Sequence, residues 1–261
     1  MIIDTHCHAG TNWFEPIENL IYQMNSNSVD KSVLVQHKGS NNNYLYECLK
    51  KYPGKFSMVA SVNWGAPLES QLQEFKSKGV SGVRIYLDYD DIFKNKGDDF
   101  FEFCSKNNLI ISLASDLKTF SSKDFKNLIK RNKNTIFIIE HLAGVGNFEI
   151  KNKNFNKKDL FNEVLQLSEY KNLFMKIPGL GELNERPESL KDFPFKNDNS
   201  GYIQKALDAF SSERLIWGSD YPPVSNREGY RNSLEGVYNL SFLSEEDKEN
   251  IFKIVPEKLF F

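Results

Sequence analysis

The chain has 261 residues, 40% of them hydrophobic, and a formal net charge of −2. That length suits one large domain whose own core supports it without disulfides or a structural metal. A nearly balanced charge lacks the basic field that recruits nucleic acid or anionic lipid, so the expected partner is a small-molecule substrate, with no nucleic acid and no membrane.

In chain order, short apolar runs alternate with polar stretches of helical periodicity. The runs are Ile2–Thr5, Ser32–Gln36, Phe56–Val62, Gly82–Leu87, Leu109–Ala114, Thr135–Glu140, Asn172–Ile177 and Arg214–Gly218. Most are rich in β-branched and aromatic residues and short enough for strands buried on both faces. Between them, segments such as Leu68–Lys78 and Asp98–Asn107 carry apolar residues at three- and four-residue spacing. Alternating strand and helix implies right-handed βαβ units around a parallel sheet. Eight such units predict an α/β fold of the closed (β/α)₈ TIM-barrel type, a single domain spanning residues 1–261. The other architecture weighed is an open doubly wound sheet. It announces itself by a glycine-rich turn after the first strand, where this chain has His-Cys-His.

Lys151–Lys158, dense in Lys and Asn, reads as a solvated loop. Leu183–Gly201 follows the seventh strand, on the side where barrel enzymes carry substrate-contacting loops, and is either a lid or a plain connection. Cys7, Cys48 and Cys104 show no metal-like spacing, which suggests a reducing compartment. The first residues lack a signal-peptide pattern, and no stretch reaches the roughly 18 apolar residues of a membrane helix. A cytoplasmic enzyme is expected, and a homo-oligomer is compatible with this reading.

Polar residues at strand ends carry the chemistry. In Asp4-Thr5-His6-Cys7-His8 the period of two sends His6 and His8 to one face and Cys7 to the other. The sixth strand runs into His141, with Gly144 soon after to turn the chain away. The eighth runs into Asp220, followed by Pro222 and Pro223, which stop the strand. Asp220 is either a site carboxylate or a cap for the next helix. In a closed barrel the eighth strand neighbours the first, which would bring Asp220 beside His6 and His8. His37, Arg84, Lys176 and Arg186 lie near strand ends and are candidates for substrate binding. Arg84 and Arg186 could each clamp a carboxylate or sit in an ion pair of the fold.

At these residues the chain resembles the amidohydrolase superfamily. The similarity is greatest to the amidohydrolase-related (amidohydrolase 2) branch, which includes sugar-lactone lactonases, 2-pyrone-4,6-dicarboxylate hydrolase and aminocarboxymuconate-semialdehyde decarboxylase. The matching stretches are Ile3–His8, Val33–Gln36, Gly82–Ile85, Ile139–Gly144, Lys176–Gly179 and Arg214–Pro222, in the family's order from first strand to last. The resemblance implies a hydrolase that opens a lactone or cyclic ester of a sugar acid or dicarboxylate. Asp220 would be its general base and His141 a second catalytic group. It implies at most one divalent ion, zinc above others, held by His6, His8 and Asp220, or a metal-independent site in which the histidines polarise the carbonyl themselves. Two departures support the limit of one ion. The fifth strand ends Leu113-Ala114-Ser115-Asp116 without a histidine, and the fourth offers Arg84 where a bridging lysine or glutamate would stand. The competing functions are a metal-dependent decarboxylase, a phosphodiesterase of the deoxyribonuclease-like branch and a non-catalytic barrel that binds a sugar acid.

Overall fold

The computed structural model describes residues 1–11, 14–87, 97–146, 156–185 and 198–261. Its strands are β1 (Ile3–Cys7), β2 (Lys31–Val35), β3 (Phe56–Ser61), β4 (Gly82–Tyr86), β5 (Ile110–Ala114), β6 (Phe137–Ile139), β7 (Leu173–Ile177) and β8 (Leu215–Trp217). All neighbours pair in parallel and in sequence order, β1 to β8. Each strand is followed by a helix: α1 (Ile17–Ser26), α2 (Asn43–Lys51), α3 (Leu68–Ser77), α4 (Gly97–Lys106), α5 (Lys123–Arg131), α6 (Lys157–Gln166), α7 (Gly201–Phe210) and α8 (Tyr230–Tyr238). The protein is therefore a single-domain (β/α)₈ barrel, as the eight apolar runs predict.

Closure occurs at the seam that matters for the site. The Thr5 hydroxyl donates to the Trp217 carbonyl at 2.6 Å, and Cys7 bridges Tyr221 in parallel. Beyond the strand ends the ladder continues, with the Asp220 amide donating to the His6 carbonyl at 2.9 Å and the His8 amide to Tyr221 at 2.7 Å. These bonds join the ends of the first and last strands, so the sequence-distant His6, His8 and Asp220 become neighbours.

Alternate strand residues serve two cores. Val33, Val35, Val59, Ile110, Ile138 and Ile216 cluster with Val255 and Phe260 from the C-terminal helical segment, residues 245–260. The intervening residues, such as Leu34, Met58, Val83, Ile111 and Phe137, pack among the surrounding helices. With both strand faces buried in this way, the runs read as continuously apolar rather than alternating. Helix ends follow local chemistry: the Ser122 and Asn156 side chains accept from the amides of Phe125 and Lys158, capping α5 and α6. No described helix is long and apolar enough to cross a membrane.

Candidate active site at the C-terminal mouth of the barrel

Three histidine rings and one carboxylate meet at the C-terminal ends of β1, β6 and β8. The His6 ring centroid lies 4.9 Å from that of His8 and 4.5 Å from that of His141, both edge to face. Asp220 Oδ1 is 3.3 Å from His8 Nε2 and 3.8 Å from His6 Nε2. Its Oδ2 accepts from Arg227 Nη1 at 3.0 Å. The Asp220 side chain thus faces the histidines and Arg227, and the following short helix, Pro223–Asn226, has no side-chain cap.

The backbone takes unusual conformations to bring these groups inward. β6 stops at Ile139, and His141, Leu142 and Ala143 all have positive φ (50°, 48° and 59°), followed by Gly144 at 70°. Asp220 has φ 59°. Left-handed conformation costs a non-glycine residue about 1–2 kcal/mol. Strain of this kind persists where surrounding contacts over-determine it, typically at functional sites. One such contact is the approach of Gly146 to the next loop, where a Cβ would lie 2.1 Å from the Glu182 carbonyl oxygen. Gly218 is constrained similarly, because a Cβ there would sit 2.5 Å from the His6 Cβ.

Each imidazole has its own support. His8 Nδ1 lies 2.6 Å from the Val35 carbonyl oxygen, and Phe14 stacks on its ring at 4.6 Å. His141 Nδ1 lies 3.0 Å from Glu182 Oε2. His6 Nδ1 lies 3.0 Å from Lys176 Nζ. The electrostatic consequences diverge. Burial and the Lys176 charge hold His6 well below the ordinary imidazole value. Burial would lower His141 too, but the Glu182 carboxylate outweighs it and raises that ring. Burial also opposes ionisation of Asp220, yet the His8 contact and the charges of His141 and Arg227 hold it below the usual carboxylate range.

Two of the substrate-binding candidates have partners inside the barrel. Arg84 is the third residue of β4, not the last, and its guanidinium is bidentate to Glu140, with Nη2 donating to Oε2 at 2.6 Å and Nε to Oε1 at 3.1 Å. Of its two alternatives, the ion pair of the fold is the one present. Lys176 is fully buried in β7, and its Nζ donates to the Thr5 carbonyl at 2.9 Å besides meeting His6. His37 does stand at the mouth, its ring 5.7 Å from Phe14 and 6.2 Å from Tyr86. Arg186 and residues 186–197 of the candidate lid lie outside the described residues, as does most of Lys151–Lys158.

Sequence reasoning passed over Glu182, Arg227 and Glu140. Glu182 sits in the short turn Leu180–Leu183 after β7, and Arg227 lies seven residues beyond Asp220. The available signal was a charged residue in a loop following a strand's C-terminal end, the position where barrel enzymes collect function. Periodicity is silent on such loops.

The site also bears on metal binding. Donor atoms of His6, His141 and Asp220 all lie within 4.8 Å of one another. Among the described residues, the buried His6 Nε2 has no hydrogen-bond partner. These distances are compatible with a single ion. The group includes His141, while His8, the ligand expected from the sequence, brings its Nε2 to 3.3 Å from the same carboxylate.

Comparison with known proteins extends these observations. The family model for amidohydrolases (Amidohydro_2) matches residues 3–261. No curated protein matches the chain in sequence. Among solved structures it is similar to a probable 2-pyrone-4,6-dicarboxylic acid hydrolase of Acinetobacter baumannii with citric acid bound. The TM-score is 0.74 at 20% identity, covering 99% of this chain and 98% of that one. An amidohydrolase of Burkholderia multivorans with bound zinc gives a TM-score of 0.80 at 16% identity, over 99% and 98% of the two chains. A 5-carboxyvanillate decarboxylase of Sphingomonas paucimobilis gives 0.65 at 11% identity with the same coverage, 99% and 98%. At these identities the structural likeness establishes the fold.

Proposed function

The chain belongs to the amidohydrolase family, and from that premise we propose that it is a hydrolase that opens a lactone or cyclic ester of a sugar acid or dicarboxylate. The observation that carries the reading is the Asp220 carboxylate, held by Arg227 against the imidazoles of His6 and His8. Asp220 takes a proton from water as its oxygen adds to the ester carbonyl carbon. Imidazole N–H groups stabilise the oxyanion of the tetrahedral intermediate. Collapse re-forms the carbonyl, breaks the bond to the ring oxygen and returns the proton to it, leaving an acid and an alcohol. Phe14, His37 and Tyr86 would wall the substrate ring at the mouth.

An ion at this site would be held by His6, His141 and Asp220, with His8 alongside, and would supply Lewis-acid polarisation of the carbonyl. We expect at most one equivalent of a divalent ion, zinc foremost. Elemental analysis of protein never exposed to chelator checks this, and two firmly bound equivalents would overturn it.

The function itself is tested by a pH-indicator screen of sugar-derived and dicarboxylate lactones. Ring opening of at least one is expected. His141→Ala should slow it by about 10²–10³-fold, the scale for loss of one oxyanion donor. Carbon dioxide release from aromatic acids, with every lactone left intact, would replace this reading with decarboxylation.

A further inference from the structure

The short turn Leu180–Leu183 follows β7 and carries Glu182, which stands 3.0 Å from His141. Amides at the start of a helical turn need an acceptor, and the cap position here is Gly179, which has no side chain to offer one. The acceptor comes from the next loop of the barrel. Glu228 lies between β8 and α8 with its side chain fully buried, and its Oε1 accepts from the Gly181 amide at 3.0 Å. The carboxylate lies so close to the turn that a Cβ on either Gly179 or Gly181 would collide with its oxygens. The preceding residue, Arg227, reaches Asp220 Oδ2 through Nη1 at 3.0 Å. Its Nε is 3.6 Å from Glu228 Oε2, and its Nη2 is 3.9 Å from Glu182 Oε2.

We propose that Glu228 is a positioning residue: by capping the turn after β7 from the loop after β8, it keeps Glu182 against His141 while Arg227, its neighbour in the chain, keeps hold of Asp220. Its bearing on ring opening rests on the hydrolytic reading above; the contact itself does not. His141 follows β6 and Asp220 follows β8, and β7 lies between those strands, so the strand ladder does not pair their ends directly. The turn after β7 is the bridge. Glu182 meets His141 on one side of it, and Glu228 ties the same turn to the β8 loop on the other. Without the Glu228 oxygen the Gly181 amide must turn to water for an acceptor, which favours opening of the turn and withdrawal of Glu182.

The test begins with metal-free protein and no substrate. In the wild type the Gly181 amide should exchange slowly with solvent, and exchange at the rate of an unstructured glycine overturns the proposal without any variant. The second readout is the ¹⁵N spectrum of the histidine rings at one fixed pH, with the His141 signals assigned by their loss in His141→Asn. Glu228→Ala is expected to move the His141 signals in the direction that Glu182→Gln moves them. The signals of His8, whose ring rests on the Val35 carbonyl of β2, should stay in place. Glu228→Gln keeps an oxygen for the Gly181 amide and should keep the wild-type His141 signals. Unmoved His141 signals in a folded Glu228→Ala protein overturn the proposal, as do His8 signals that move equally or a Glu228→Gln spectrum that matches Glu182→Gln. On a lactone from the screen, Glu228→Ala should lower kcat by about 10²-fold with little change in KM, the scale for a small misplacement of reacting groups. Wild-type kcat in that variant overturns the link to ring opening, whereas a screen without any active lactone counts against the hydrolytic reading alone.

Discussion

Asp220→Asn is expected to lower the rate of ring opening by about 10²–10⁴-fold, the usual contribution of a positioned general base. The substitution isolates proton acceptance from shape. The backbone amide of residue 220 still donates to the His6 carbonyl, the bond at 2.9 Å that closes the seam between β8 and β1. Asparagine tolerates the left-handed φ of 59° as well as aspartate does, so no new backbone strain arises. Its amide oxygen can still accept from Arg227 Nη1, now 3.0 Å from Oδ2. What disappears is the ability to take a proton from water. Steady-state kinetics on a lactone found in the screen, beside a thermal melt, check the expectation. A variant with nearly wild-type turnover would show that another group accepts the proton.

The largest expected effect on stability is at Glu140. Glu140→Ala leaves the Arg84 guanidinium, 8% exposed, without its bidentate partner and removes the acceptor of the Ser112 hydroxyl at 2.7 Å. Breaking a buried pair from one side costs about 3–5 kcal/mol, because the remaining charge stays buried and uncompensated. In a protein of this size each kcal/mol moves the melting temperature by roughly 2–4 °C, so a fall of about 6–20 °C is expected. Replacing both partners, as in Arg84→Met with Glu140→Leu, should recover much of that loss. The pair also has a pH signature. Burial favours the neutral Glu140, but Arg84 and Lys176 outweigh it and hold the carboxyl at about 2, below its ordinary 4.5. The stabilisation is therefore complete above about 4.5 and is lost as the pH falls through about 2. Thermal melts between these limits should show a decline in the wild type that is weaker in the double variant. Equal melting temperatures for wild type and Glu140→Ala would mean that the guanidinium finds another partner.

Much of the fold was legible because a strand's pattern is a local property. Each of the eight apolar runs contains or overlaps its strand by all but a residue or two, as with Phe56–Val62 against Phe56–Ser61. The polar residues that end β1, β6 and β8 were legible for the same reason: a charged or imidazole side chain directly after a buried run has little choice but the barrel mouth. The roles of Arg84 and Lys176 were not. Inward-facing positions on β4 and β7 can serve a substrate or the fold equally well, and periodicity does not distinguish the two.

By itself the sequence determined the alternation of elements, the closed parallel architecture and the placing of His6, His8, His141 and Asp220 at one end of it. Only the tertiary structure decided the partners. Arg84 meets Glu140 across 56 positions and Lys176 meets His6 across 170, contacts set by barrel curvature and closure.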